Sequence, residues 1–402
     1  MRSLRVGFLS SHNYLDRNAF SGTLYSMYQA LLKQNIQVVP LGRAYTPNKL
    51  HKVSRLFHKN DYPSLSVKNP NLFEDGLRFR ELVKKQLKKN PCDVIFAPVG
   101  AMELKTVALD LPCVYLSDVT HELYLQLYGL NYTERQTKIS SDAEKHAISY
   151  ASQLIYSSRW AADSAMNHYG APLEKTQVIP FGANLERVPS FEQATQREIS
   201  SKCRLLFVGK WWERKGGNIA LECLQSLLAM GVDAELTIVG CVPPDGYTHA
   251  KLNVIPFLDK NVPQQRQKLE ELYFTSNFLL FPTRADCSPI SICEANAYGL
   301  PVVASNVGGI ASIIQEGVNG FMLPLSSGGD AYAKVIAKTF ADVQGYRELV
   351  KAARQEYDDR LNWDQWAKAT CQVFAAAADQ HLFSNIGSQY NPPSGFPELA
   401  RV

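Results

Sequence analysis

Short apolar runs alternate with helical patterns along nearly the whole chain, and this alternation is the strongest constraint on its fold. In the first half, strand-like residues 4–9 lead to a helix over about 22–34 and then to 36–41. Residues 93–97, a helical patch near 101–108 and residues 113–116 follow. A long helix over 133–151, a strand at 153–156, a helix at 159–169 and a strand at 176–180 complete that half. The second half repeats the pattern, with strands at 205–208, 234–239, 252–256, 278–281, 301–304 and 320–323 and helices between them. Strands separated by helices pair in parallel, which predicts α/β layers. The polar stretch 184–201 carries no buried strand and reads as a linker. Two open α/β domains, 1–183 and 202–361, facing across a cleft are therefore expected, as the length of 402 residues allows. No internal repeat is evident, and residues 384–402, rich in Ser, Asn, Gly and Pro, read as a loosely held tail.

The most specific piece runs from Asn277 to Pro324. Its apolar strand enters a polar loop holding Asp286. Ser288 reads as an N-cap and Pro289 as the first helical residue. The helix should reach about Tyr298, with Gly299 just past its end and Pro301 forbidding continuation. The first backbone donors, Ile290, Ser291 and Ile292, then point above the strand end, where the helix dipole favours an anion. Glu294 lies about one turn down, roughly 6 Å along the axis. A bound phosphate would repel that carboxylate unless neutral hydroxyls donated to it. A ribose diol beside a diphosphate supplies such hydroxyls, so the pattern points to a nucleotide-sugar site.

A second anion site is readable in LLFVGKWWERKGGNIALECLQSLLAM, residues 205–230. The strand ends at Gly209, and the following loop carries Lys210, Arg214 and Lys215 with Gly216 and Gly217. It is neither a Walker loop nor GxGxxG. Cations at the C-terminal end of a parallel strand lie where open α/β sheets bind ligands. Two lysines there would neutralise a diphosphate and stabilise the charge that develops as it leaves. A solvated basic turn is the alternative. Trp211 and Trp212 read as packing the loop down, with lining of the sugar pocket as the other option.

Composition narrows the classes further. The apolar share of 46% suffices for sizeable cores, and a net charge of +4 does not by itself imply nucleic-acid binding. The N-terminus leads straight into a strand without a signal-peptide core, and no apolar run approaches the roughly twenty residues of a membrane span. The eight cysteines form no CxxC pair and lie mostly in apolar segments, which reads as buried thiols in a reducing cytoplasm.

Taken together, these motifs resemble the retaining glycosyltransferases of family 4, whose GT-B fold has two facing Rossmann-like domains. FVGKWWERKGG resembles the family's "VGR…KG" turn, and DCSPISICEANAYGLPVVAS its E-x7-E block. TQVIPFGANLE before the linker and LNWDQWAKA near the end are also family-like. The resemblance implies that a helix over about 362–383 crosses back onto the N-terminal domain. It implies that Lys210 and Lys215 contact the donor diphosphate, that Glu294 holds the ribose and that Asp286 contacts donor-sugar hydroxyls. The amides around Ser288, Pro289, Ile290 and Ser291 would lie over the phosphate and sugar, and Phe257 and Leu258 beside the base. Ser21–Gly22–Thr23 resembles the glycine-rich loop that approaches the donor phosphate from the other domain. Three departures stand out. Aspartate replaces glutamate at 286, and lysine at 210 replaces an arginine fork with a point charge. Where the family often has a histidine, this chain has Asp118, with His121 three residues on. Asp118 is placed ahead of His121 as the donor-sugar contact, while either is equally readable as structural, Asp118 as a cap of the following helix.

The implied reaction transfers a sugar from a nucleotide-diphosphate sugar with retention of configuration, without a metal or other cofactor. UDP is placed first as the carrier, with GDP or ADP as alternatives. The acceptor could be a glycan, a lipid-linked sugar or a small metabolite. Residues 43–59, RAYTPNKLHKVSRLFHK, hold five Lys or Arg and no acid from Arg43 to Lys59, and a second cluster comprises Lys84, Lys85, Lys88 and Lys89. A solvated face is the ordinary reading. Peripheral contact with the inner face of the membrane is the alternative for an otherwise cytoplasmic protein. Competing functions are a nucleotide-sugar epimerase, a glycoside hydrolase using Asp286 and Glu294, and a non-catalytic binder of the same fold.

Overall fold

The computed structural model describes residues 3–17, 19–42, 65–129, 131–196 and 201–389. Two six-stranded, wholly parallel sheets form the frame. The first takes β1 (Leu4–Ser10), β2 (Ile36–Gly42), β3 (Val94–Pro98), β4 (Cys113–Ser117), β5 (Gln153–Tyr156) and β6 (Thr176–Val178) in the order β2-β1-β3-β4-β5-β6. The second takes β7 (Cys203–Val208), β8 (Ala234–Val239), β9 (Leu252–Ile255), β10 (Phe278–Phe281), β11 (Val302–Ser305) and β12 (Gly320–Leu323) in the order β12-β11-β10-β7-β8-β9. β3, β4, β5, β10 and β11 are buried at every residue, which is why their sequences are short continuous apolar runs rather than alternating ones.

In each sheet the strand order reverses once, between β1 and β3 and between β7 and β10. Loops leaving the C-terminal ends of such neighbouring strands go to opposite faces and open a crevice where ligands bind. The sheets thus supply two crevices, and the functional site should lie at one or both.

The helix Trp363–Gln389 follows the C-terminal domain in sequence but packs on the first sheet. Trp366 and Phe374 are buried there against Phe96, with ring centroids 6.1 and 5.2 Å apart. Trp363 Nε1 also donates to Asn184 Oδ1 at 2.9 Å, and Asn184 Nδ2 donates to the Ser21 carbonyl at 2.9 Å. The helix continues to Gln389, past the expected tail start at 384, with no proline between 383 and 389 to interrupt it; residues 390–402 lie outside the described residues. The linker is more structured than its polarity suggests. It holds the helix Phe191–Thr195, closed by a Ser190–Gln193 capping box, and Arg354 Nη1 donates to the Pro189 carbonyl at 2.5 Å. All eight cysteines are free thiols, six of them buried.

Candidate active site

A cavity of about 450 Å³ opens between the two domains at both crevices. Its C-terminal wall is built by the loops after β7 and β10, which interlock. The left-handed backbone of Gly216 (φ +75°) brings the turn against the next loop, and a Cβ there would lie 2.0 Å from the Pro282 carbonyl oxygen, so only glycine fits. Across this contact Arg284 N–H donates to the Arg214 carbonyl at 2.7 Å and Arg214 Nη1 to the Ala285 carbonyl at 2.9 Å. Trp212 anchors the loop from below, buried, with Nε1 donating to Asn218 Oδ1 at 2.8 Å. Only one of the two tryptophans packs the loop down. Trp211 lines the cavity and is 73% exposed, because its own left-handed backbone (φ 71°) turns it away from the core.

Lys210, Arg214 and Lys215 all line the cavity. Lys215 ion-pairs with Asp286, while Arg214 is 3.9 Å from the same carboxylate. Burial pulls the Lys215 ammonium below the ordinary lysine range, and Asp286 opposes that pull. Lys210 Nζ lies 5.4 Å from the ring centre of Phe257, which also lines the cavity with Leu258.

The helix after β10 runs Ile290–Ala297 and differs in detail from the reading of its start. Pro289 itself occupies the N-cap position, and Ser288 does not cap; its hydroxyl lies 2.6 Å from Ser157 Oγ across the cleft. The Ile292 amide donates to the Pro289 carbonyl at 3.1 Å, so it is already used inside the chain. Ser288, Pro289, Ile290 and Ser291 line the cavity. Glu294 lies at its base, 1% exposed, accepting from Tyr273 Oη at 2.9 Å and Lys260 Nζ at 2.5 Å. Sequence reading missed Lys260. Its one signal was a place three residues after Phe257 in the loop leaving β9, and its partner stands 34 residues further on.

On the N-terminal wall, Asp118 lines the cavity and His121 does not. Asp118 is the first residue of the turn after β4. Burial chiefly, with the facing Asp286, pushes its carboxyl up to about 6, against the effect of its own backbone N–H. It does not cap the next helix: Thr120 does, accepting from the Leu123 amide at 3.5 Å. His121 begins that helix, its ring 5.9 Å from Tyr132 and its Nε2 buried without a partner among the described residues. Gly22 is a left-handed turn residue (φ 86°) rather than a wall residue; its neighbours Ser21 and Thr23 line the cavity. Five non-glycine residues among those described have positive φ, and four of them, Phe20, Ser21, Val99 and Trp211, face this cavity. Such conformations cost about 1–3 kcal/mol each and gather at functional sites.

Gly308 supports the site from behind. Its φ is +59°, and an added Cβ would meet the Asp286 carbonyl oxygen at 1.9 Å. Gly308→Ala is expected to cost about 1–3 kcal/mol and to displace Asp286. Urea denaturation and donor binding check this; unchanged values for both would contradict it. Among the described residues, no three His, Cys, Asp or Glu side chains gather as a metal site requires.

Two Rossmann-like halves facing across a cleft define the GT-B fold of glycosyltransferases. Residues 22–187 match the profile described as "Glycosyltransferase Family 4", and residues 202–342 that of "Glycosyl transferases group 1". The chain belongs to this glycosyltransferase family. It is 26% identical over 270 residues to a D-inositol 3-phosphate glycosyltransferase of Streptomyces scabiei, an overlap of 61% of this chain and 59% of that protein. The chain therefore spans less than two thirds of the length of this curated relative. Sucrose-phosphate synthase from Thermosynechococcus elongatus shares the fold at 18% identity and a TM-score of 0.65, over 96% of this chain and all of that one. Anabaena HepE, solved in complex with UDP and glucose, does so at 16% identity and 0.63, over 93% of this chain and all of that one.

Proposed function

We propose that this protein is a retaining, metal-independent glycosyltransferase that moves a sugar from a nucleotide-diphosphate sugar to an acceptor hydroxyl. The observation that carries this is the convergence of Lys210, Arg214, Lys215, the Ile290 helix start and Glu294 on one cavity bounded by both domains. Three cations and the helix-start amides suit a diphosphate. Glu294 suits the ribose diol, with Lys260 moving aside or sharing the carboxylate. Phe257 and Leu258 flank the base, and Asp286 with Asp118 faces the donor sugar. UDP is the first candidate carrier, in keeping with the UDP bound by HepE, and GDP and ADP are the alternatives.

In the reaction, the bond from the anomeric carbon to the diphosphate oxygen breaks and its electron pair passes to that oxygen. Lys210, Arg214 and Lys215 stabilise the developing charge in a partly dry cleft. The acceptor hydroxyl attacks from the same face and gives its proton to the departing phosphate, so catalysis is positioning and electrostatics. Residues 184–201 and the start of the crossing helix are the proposed hinges for closure. The proposed site of action is the cytoplasm, on a glycan, lipid-linked or small-molecule acceptor. No described helix is long and apolar enough to cross a membrane, and the basic segment proposed for peripheral contact, Arg43 to Lys59, lies outside the described residues.

The test is nucleotide release from UDP-, GDP- and ADP-sugars without acceptor and with a chelator present. One donor is expected to be hydrolysed slowly, and Glu294→Ala to lower that rate at least about tenfold, or ~1.4 kcal/mol. No turnover of any donor, with no thermal shift by UDP, GDP or ADP, overturns the reading.

A further inference from the structure

We infer that Trp211, together with Phe20 on the opposite wall, forms an aromatic platform for the acceptor, and that the acceptor is therefore a glycoside whose pyranose ring stacks there. The inference rests on the transferase reading and deepens it. Lys210, Arg214, Lys215, Lys260, Glu294, Phe257 and Leu258 already account for diphosphate, ribose and base. Of the other aromatics lining the cavity, Phe181 is buried and Tyr128 is half-buried with its hydroxyl against Cys287, which leaves Trp211 and Phe20 as the exposed ones without a part in donor binding.

Three observations set them apart. Trp211 is 73% exposed and Phe20 42% exposed, although both line the cleft. Both have left-handed backbones (φ 71° and 47°), so backbone strain is spent on holding two large rings out of the core. Both are also braced. Trp211 follows Lys210 on the loop locked by Trp212 and Gly216, and its carbonyl accepts from the Lys215 amide at 3.0 Å. The Phe20 ring meets His12 edge-on at 4.9 Å, and the neighbouring Ser21 carbonyl is held by Asn184. Rigid, exposed aromatics at the rim of a polar site are binding surfaces rather than core. A pyranose suits them because the C–H groups on one ring face present a weakly positive apolar surface to the negative face of an aromatic ring. Its hydroxyls meanwhile remain free for the polar side of the cleft.

The test measures stimulation of donor turnover by methyl glycosides of glucose, galactose, mannose and N-acetylglucosamine, with inositol phosphate as the anionic comparison. At least one glycoside is expected to stimulate the wild type. Trp211→Ala should raise its half-maximal concentration by about tenfold, with less than a twofold change in donor KM, and Trp211→Phe should largely restore it. Trp211→Gly is the decisive second variant: it removes the ring while giving the left-handed position to the residue that adopts it freely. It should keep or raise the Tm and still lose the glycoside response. Equal stimulation of wild type and both truncations overturns the inference, as does stimulation by inositol phosphate alone or by nothing. A wild type that turns over no donor is a different result, the failure of the transferase reading itself.

Discussion

Lys215→Ala is expected to lower donor turnover by about 10²–10³-fold, the usual cost of removing one preorganised charge stabiliser. The side chain is 11% exposed, so its charge acts in a medium that screens poorly. Burial already pulls its pKa down, and Asp286 opposes that pull. The alanine variant also strands Asp286 without its nearest cation, so stability should fall too, by about 3–5 kcal/mol for a broken buried pair. Lys215→Met combined with Asp286→Asn separates the two effects: the double variant should recover much of the stability and none of the rate. Single-turnover hydrolysis and urea melts on the three proteins decide the matter. A single variant retaining a third or more of the wild-type rate would remove Lys215 from the chemistry.

Replacing Glu144 by glutamine should stabilise the protein at alkaline pH by a few kcal/mol, at about 1.4 kcal/mol per pH unit. Glu144 is 5% exposed beneath β4, with Tyr115 Oη 3.2 Å from both carboxylate oxygens. Burial raises its pKa from 4.5 to about 8, helped by Asp118 and opposed by the tyrosine. Between about 4.5 and 8 the folded state therefore holds more protons than the unfolded chain. This group's contribution is fully present below 4.5 and is lost as pH rises through 8. Glutamine does not titrate and still accepts from Tyr115. The Tm gap between variant and wild type should thus widen from pH 5 to pH 9. A gap that stays constant over that range would show that Glu144 titrates alike in the folded and unfolded protein, with no upward shift.

Asp118 is coupled to both Glu144 below it and Asp286 across the cleft, so the acid of the N-terminal wall sits between two other carboxylates. No local pattern in the chain announces this. The three come from the turn after β4, a helix packed behind the sheet and the opposite domain, and only the packed sheets bring them together. The same applies to Lys260 and Glu294 and to Ser157 and Ser288, pairs separated by 34 and 131 residues.

What the chain could state alone was whatever depends on local periodicity and short spacing. Buried parallel strands must be continuous apolar runs, so their positions were readable to within a residue or two. The cations after β7 and the Asp286–Glu294 spacing were readable because strand–loop–helix geometry converts sequence offsets directly into distances. Tertiary structure decided the rest. Trp211 and Trp212 are adjacent and chemically identical, yet one is core and the other surface, because the sign of one φ angle set by the interlocked loops chooses between them. Asp118 faces the cleft and His121 does not, because Thr120 captures the helix start between them. Ser288 reads as a cap by type, but a hydroxyl on the other domain takes its side chain. Propensity ranks what a residue can do among its chain neighbours; which partner it takes depends on energies that exist only after two distant segments have met.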